Sequence, residues 1–150
     1  MNSRKISIKD FFSTYKWRND PTSIKYSKSQ SRVSWYAHTK WFKTNLNSKR
    51  HFYGYIFIDS QKEKIGLVYF KKIDDGKFLI SINLNPKFRG NGHSNEILRN
   101  AIMNFKKEET AQVIAEIMSE NFISIRLFLK HNFKPTKSTE FRKFNSYLLK

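Results

Sequence analysis

The sequence contains no cysteine. That removes disulfides, thiolate metal sites and cysteine nucleophiles together, and leaves the redox compartment unconstrained. Acidic side chains are scarce as well, with 12 Asp and Glu against 29 Lys and Arg, a net charge of +17. Such an imbalance suits nucleic acid, an anionic membrane surface or a polyanionic small molecule. It equally describes a lysine-rich solvated surface, because the lysines are spread along the chain and not gathered into a tail. Three prolines and five glycines are all that punctuate 150 residues, and neither repeat nor low-complexity linker is present, so a single continuous domain over residues 1–150 is expected. Long apolar runs are missing too. The opening "MNSRKISIKDFF" is neither a secretory signal nor a membrane span, which points to a cytoplasmic protein without membrane insertion. What the chain does have is 14 Phe and 16% aromatic residues, enough to build a core without staples.

The apolar pattern predicts an order of elements. "SIKDFFSTYKWRNDP" places Phe11, Phe12, Tyr15 and Trp17 near helical spacing and ends at Pro21. In "VSWYAHTKWFKTNL", Ser34 can cap a helix carrying Ala37, His38, Trp41 and Phe42 on one side. "FYGYIFID", "KIGLVYFKKI" and "KFLISINLNP" read as three antiparallel strands in a meander. Ile97, Leu98, Ala101, Ile102 and Phe105 then follow a 3.6-residue period through "HSNEILRNAIMNFKKEE". "AQVIAEIM" is a further strand, a shorter helix follows from Asn121 with Ile123, Leu127 and Phe128, and "EFRKFNSYLL" closes the chain as a strand. The order implies an α/β (α+β) domain around one central mixed sheet flanked by helices.

Between the third strand and the long helix lies "NPKFRGNGHSNEIL". Gly90 and Gly92 lack Cβ atoms, so the main chain there can bend sharply and approach a ligand closely. The helix that follows turns its unpaired amides and positive dipole end toward the same spot, which suits a phosphate or pyrophosphate. A plain strand-to-helix turn would use glycine in the same way. The Gly-Lys-Ser/Thr ending of a nucleotide hydrolase loop is absent, and a dinucleotide fingerprint belongs on the first strand, not the third. His51, His93 and His131 show no metal-ligand spacing, so no metal is expected.

Arg89-Gly90-Asn91-Gly92-His93-Ser94, after a strand and before an amphipathic helix, resembles the Arg/Gln-x-x-Gly-x-Gly/Ala motif with which the GNAT acetyltransferase superfamily binds the acyl-CoA pyrophosphate; Ser94 takes the final Gly/Ala place. Ala115 to Phe133, "AEIMSENFISIRLFLKHNF", is similar to the same superfamily's strand, Glu-Asn, helix and Lys-x-Gly-Phe ending, with Asn132 in the glycine position. Trp17-Arg18-Asn19-Asp20-Pro21 followed by His38-Thr39-Lys40-Trp41-Phe42 resembles the branch that acetylates UDP-linked 4-amino sugars, as in the pseudaminic acid pathway, and more loosely the enzymes that acetylate ribosomal protein N-termini.

The resemblance implies a GNAT-like, mostly antiparallel sheet with splayed central strands and an acetyl-CoA-dependent N-acetyltransferase. The acetyl group goes to a primary amine, foremost the 4-amino group of a nucleotide-linked amino sugar. A protein N-terminus, or a catalytically silent acyl-CoA or nucleic-acid binding module, are the alternatives, and the enzyme is a monomer or homodimer. Acetyl-CoA would be held by Leu84, Arg89, Gly90, Asn91, Gly92, His93, Ser94, Asn121, Ser124, Phe128 and Lys130, with the main chain near Leu84 polarising the thioester. Glu116 would accept the amine proton, directly or through water, or hold the acceptor; a surface glutamate is its plain alternative. Where many members have a thiolate-protonating tyrosine this chain has Phe128, which cannot donate, so Ser124, Tyr147 or water takes that role. Arg18 suits a phosphate or carbonyl, His38 a hydroxyl or phosphate, and Trp17 or Trp41 a stacked ring. Trp41, with Phe42 at helical spacing, has a plainer reading as core, and His38 as a cap or buttress.

Overall fold

A computed structural model describes residues 1–136 and 143–150. The first helical segment, α1, runs Phe11–Arg18, and a separate short helix, α2, spans Pro21–Lys25. The break between them has a local cause. Asn19 turns its side chain onto the main chain of Val33, donating to its carbonyl at 3.0 Å and accepting from its amide at 2.7 Å. Asp20 then caps the amides of Thr22 and Ser23, with Pro21 at the first helical position where its missing N–H costs nothing. Pro21 therefore opens a helix instead of merely ending one. The second expected helix, α3, is Trp35–Leu46, with Ser34 accepting from Ala37 N as its cap.

The meander follows as β2 (Phe52–Ile58), β3 (Lys64–Asp74) and β4 (Lys77–Leu84), then α4 (His93–Glu108), β5 (Gln112–Met118) and α5 (Phe122–Lys130). The last strand, β7, is Phe144–Leu149; the expected start of that strand, residues 140–142, lies outside the described residues. Two strands escaped the sequence reading. The polar stretch β1 (Asn2–Lys5) pairs antiparallel with β2, and the three-residue β6 (Phe133–Pro135) pairs antiparallel with β7. Neither carries an alternating apolar pattern, because both lie at sheet edges.

Among the described residues seven strands form one sheet in the order β1-β2-β3-β4-β5-β7-β6, antiparallel except between β4 and β5. One face is covered by α4 and α5. Ile97, Leu98, Ala101 and Phe105 of α4 are fully buried against Tyr53, Phe70, Phe78, Val113 and Ala115, with Phe105 stacked on Phe70 at 4.1 Å between ring centroids. The opposite face carries α1 and α3, whose Trp17 and Trp41 pack on Ile56, Leu67 and Tyr69. Among the described residues no helix is long and apolar enough to cross a membrane.

The central parallel pair is short. β4 and β5 match only at Lys77/Gln112, Phe78/Val113 and Leu79/Ile114, whereas β4 stays paired with β3 out to Leu84 and β5 with β7 out to Met118. Past Leu79 and Ile114 the two strands part, so the expected splay is present at the centre of the sheet.

Asp10 fixes the near edge. Its fully buried carboxylate accepts from both terminal nitrogens of Arg4 on β1, at 2.7 and 2.8 Å, from the Ser7 amide at 2.9 Å, and pairs with Lys64 at 2.8 Å. Burial alone pushes its pKa up, but the hydrogen bonds from Arg4, Lys64 and Ser7 outweigh it and bring the value down to about 2. Because the folded value lies below the unfolded one, this stabilisation is complete above the ordinary carboxylate range and is lost as pH falls from about 4 toward 2. Asp10→Asn is expected to cost about 1–3 kcal/mol, since it removes charge-assisted hydrogen bonds from two partly exposed cations, and to flatten that acid limb; urea melts between neutral pH and pH 2 check both.

Candidate functional site at the fork of the sheet

The fork between β4 and β5 is bordered by main-chain groups that the sheet does not use. In β4, Asn85 N donates to Ile65 O at 2.8 Å, so odd-numbered positions face β3 and the alternation turns the main chain of Ile82 and Leu84 toward the fork. On the other side Ser119 N donates to Lys143 O at 2.8 Å, which by the same alternation turns the main chain of Glu116 and Met118 inward. Such groups need partners from outside the sheet. Two are already taken, since Leu84 O accepts from Arg89 Nη2 at 3.1 Å and Met118 O from Asn121 N at 2.9 Å.

Directly beyond β4 comes the glycine turn. Gly90 and Gly92 have φ of +80° and +78°, the left-handed region that favours glycine. Gly92 is the N-cap of α4. A Cβ built on either glycine would meet nothing within 4 Å, and Gly90, Asn91 and Gly92 are exposed. Among the described residues the amides of Gly90 to Ser94 find no acceptor; the first to do so is Asn95, bonded to Gly92 O at 3.3 Å. The corner is therefore bare backbone at a helix start, open to an anion. His93 packs edge-on to Phe88 at 6.0 Å.

Arg89 does not face this corner. Its guanidinium reaches back to Asp20 Oδ2 at 2.5 Å and Ser23 Oγ at 3.1 Å, besides Leu84 O. It ties α2 to the end of β4. Ser23 Oγ in turn donates to Asn83 Oδ1 at 3.2 Å.

The face of the fork beneath α1 and α2 is polar. Val113, Ala115 and Ile117 point into the α4 layer, so Ile114 and Glu116 point the opposite way. There Glu116 Oε2, shielded from solvent, is paired with the ammonium of Lys28 from the segment after α2. Arg18 stands on the same side. Its Nη2 donates to Ser29 Oγ at 3.3 Å, while Nη1 is buried without a hydrogen-bond partner. Burial lowers the Arg18 pKa, with Tyr69 working against the fall. A guanidinium nitrogen withdrawn from water and left unpaired is a site in want of an acceptor.

Other residues expected at the site lie elsewhere. His38 is buried among the rings of Phe11, Tyr15, Trp41 and Phe42, with Nε2 3.3 Å from Phe11 O and from Thr14 Oγ1. Burial lowers its pKa, helped by Arg18 and opposed by the bond to Phe11. It joins α1 to α3 and offers nothing to a substrate. Trp17 is equally buried, and Trp41 packs against Phe52 and Tyr69. Both are packing residues, as their helical spacing also allowed. Phe128 is buried edge-on to Phe133, and Tyr147 is buried in the same layer, so neither ring is available to a cofactor or leaving group. Asn121 caps α5, accepting from Ser124 N at 3.2 Å; Ser124 is half-buried in that first turn and Lys130 is exposed at its end. Asn132 has φ of +65°, the left-handed conformation its place in the motif requires. Sequence reasoning did not find Lys28 or Ser23. Nothing in "SIKYSKSQSR" distinguishes one lysine or serine from the next.

Comparison with known proteins agrees with this geometry. The acetyltransferase (GNAT) domain family matches residues 3–134. Among solved structures, a domain from Methanocaldococcus jannaschii DSM 2661 superposes with a TM-score of 0.85 at 21% identity, covering 99% of this chain and 96% of that one. Spermidine N-acetyltransferase from Vibrio cholerae, in complex with CoA and spermine, gives 0.80 at 15%, with 98% and 92% covered. Ribosomal-protein-alanine N-acetyltransferase from Brucella melitensis gives 0.78 at 14%, with 99% and 97% covered. At these identities the likeness is one of fold. No curated protein matches the sequence.

If the bare corner receives the CoA diphosphate, Gly92→Asn, which tolerates the left-handed turn but adds a side chain there, and Gly92→Val should both weaken CoA binding. The expected loss is about tenfold or more, equivalent to one or two charge-assisted hydrogen bonds. Calorimetric titration with CoA measures it, and a thermal melt separates it from the folding strain expected for Val.

Proposed function

The chain belongs to the acetyltransferase (GNAT) domain family and is an acetyl-CoA-dependent N-acetyltransferase; from that premise we propose that its acceptor is the 4-amino group of a UDP-linked amino sugar. The observation that carries this reading is the unpaired, buried Nη1 of Arg18 on the acceptor side of the fork. A diphosphate or uracil carbonyl supplies the acceptor that such a nitrogen lacks. A polyamine does not, and it would have to enter beside two cations, Arg18 and Lys28, with Glu116 already neutralised. The net charge of +17 favours polyanionic substrates for the same reason.

In this reading the amides of Gly90 to Ser94 and the start of α4 hold the CoA diphosphate, and the fork-side main chain of Ile82 and Leu84 pairs with the pantetheine arm and orients the thioester. Asn121 keeps α5 in register beside that arm. Glu116 takes the proton from the incoming ammonium, so that a neutral amine attacks the thioester carbon. The carbon–nitrogen bond forms, the carbon–sulfur bond breaks, and the thiolate takes a proton from Ser124 or from water reaching that turn. Arg18 holds the phosphate side of the acceptor and fixes the amine over Glu116.

Free-thiol release from acetyl-CoA, measured across an amine panel, tests the assignment. Turnover should be found with UDP-4-amino sugars and be far lower with spermidine or with N-terminal peptides; a preference for peptides would move the acceptor to protein N-termini. Arg18→Ala should raise KM for the nucleotide sugar by about tenfold or more while leaving KM for acetyl-CoA near its original value. Glu116→Gln should lower kcat by about a hundredfold.

A further inference from the structure

Lys28 occupies an unusual place for a surface lysine. It belongs to the exposed segment that follows α2, and its own side chain is 44% exposed, yet its ammonium reaches Glu116 at the mouth of the acceptor side of the fork. The segment is built to hold it there. Ser27 Oγ donates to Ile24 O at 2.8 Å and accepts from Gln30 N at 3.2 Å, Gln30 Nε2 donates to Lys25 O at 3.1 Å, and Gln30 itself has φ of +48°. Arg18 holds Ser29, and the pair of hydrogen bonds between the Asn19 side chain and the Val33 main chain closes the loop at its far end. A primary ammonium is thus kept on the one carboxylate that the proposed mechanism assigns to deprotonating a primary ammonium.

We propose that Lys28 is itself an acetyl acceptor, modified by its own active site. This rests on the assignment of the fork as the acetyl-transfer site. The ammonium of Lys28 passes one proton to Glu116 and thence to water. The neutral Nζ attacks the thioester carbon, the nitrogen–carbon bond forms and the carbon–sulfur bond breaks. The second nitrogen proton compensates the departing thiolate, leaving acetyl-lysine, free CoA and one released proton. One lysine stands at this carboxylate, so the reaction stops after one acetyl group per chain. Acetyl-Lys28 carries no charge and releases Glu116.

The purified chain is incubated with acetyl-CoA and no added amine, then digested and mapped by mass spectrometry. The expected result is a single acetyl group on Lys28, formed at a rate independent of protein concentration, absent from Lys28→Arg and slowed about tenfold or more in Glu116→Gln. Labelling of Lys28 no faster than that of other exposed lysines, or unchanged in urea, would overturn the proposal. So would an unlabelled Lys28 in a preparation that turns over an added amine, and that result leaves the acceptor assignment standing. An unlabelled Lys28 with no turnover of any amine overturns both. Circular dichroism of the two variants confirms that they are folded.

Discussion

Everything at this site follows from a parallel strand pair that is allowed to fail. β4 and β5 are joined over three residue pairs and then separate, which in most sheets would leave main-chain groups unpaired and the strands unsupported. Here each strand is held on its outer side, β4 by β3 and β5 by β7, so the gap opens without loosening either. In the proposed reading these groups serve recognition: an extended ligand in the gap would restore what the missing pairing would have supplied, by the same physics that lets a peptide add to a sheet.

The other elements are arranged around that gap by polarity. The α4 face is almost wholly apolar, with Phe105 enclosed by Phe70, Tyr53 and Phe78, and it fixes the helix whose first turn bears the bare glycines. The opposite face is apolar only where Trp17 and Trp41 cover Ile56 and Leu67. Nearer the fork it changes to Ser23, Asn83, Arg18, Lys28 and Glu116. Arg89 links the two regions, because its guanidinium joins the cap of α2 to the carbonyl of Leu84. One side chain thus ties α2 to the strand end beside the glycine turn.

Much of this was legible in the sequence where periodicity and backbone chemistry coincide. The meander, α4 with its five-residue apolar stripe and the glycine turn each carry a signal that only one local structure satisfies, and the two family motifs lie on either side of α4, the second running through β5 and α5. Edge strands were not legible, since β1 is polar and β6 three residues long. Side-chain roles were legible only in part. Trp17, His38 and Phe128 sit in motif positions, but a motif fixes spacing and not which side of a helix faces the core, and all three are buried. Arg89 was read as a ligand for an anion because the partner that claims it, Asp20, lies 69 residues away. Lys28 could not be singled out at all, as its importance comes from a contact with Glu116 across the fold.

The ends of the sheet carry a further consequence. β1 presents four residues that include Arg4 and Lys5, and β6 presents three that finish at Pro135, which has no N–H to offer. A sheet that ends this way gives a second chain almost nothing to zip onto. For a sequence so rich in phenylalanine, that blunting leaves few ladder groups at either border on which runaway fibre growth could start.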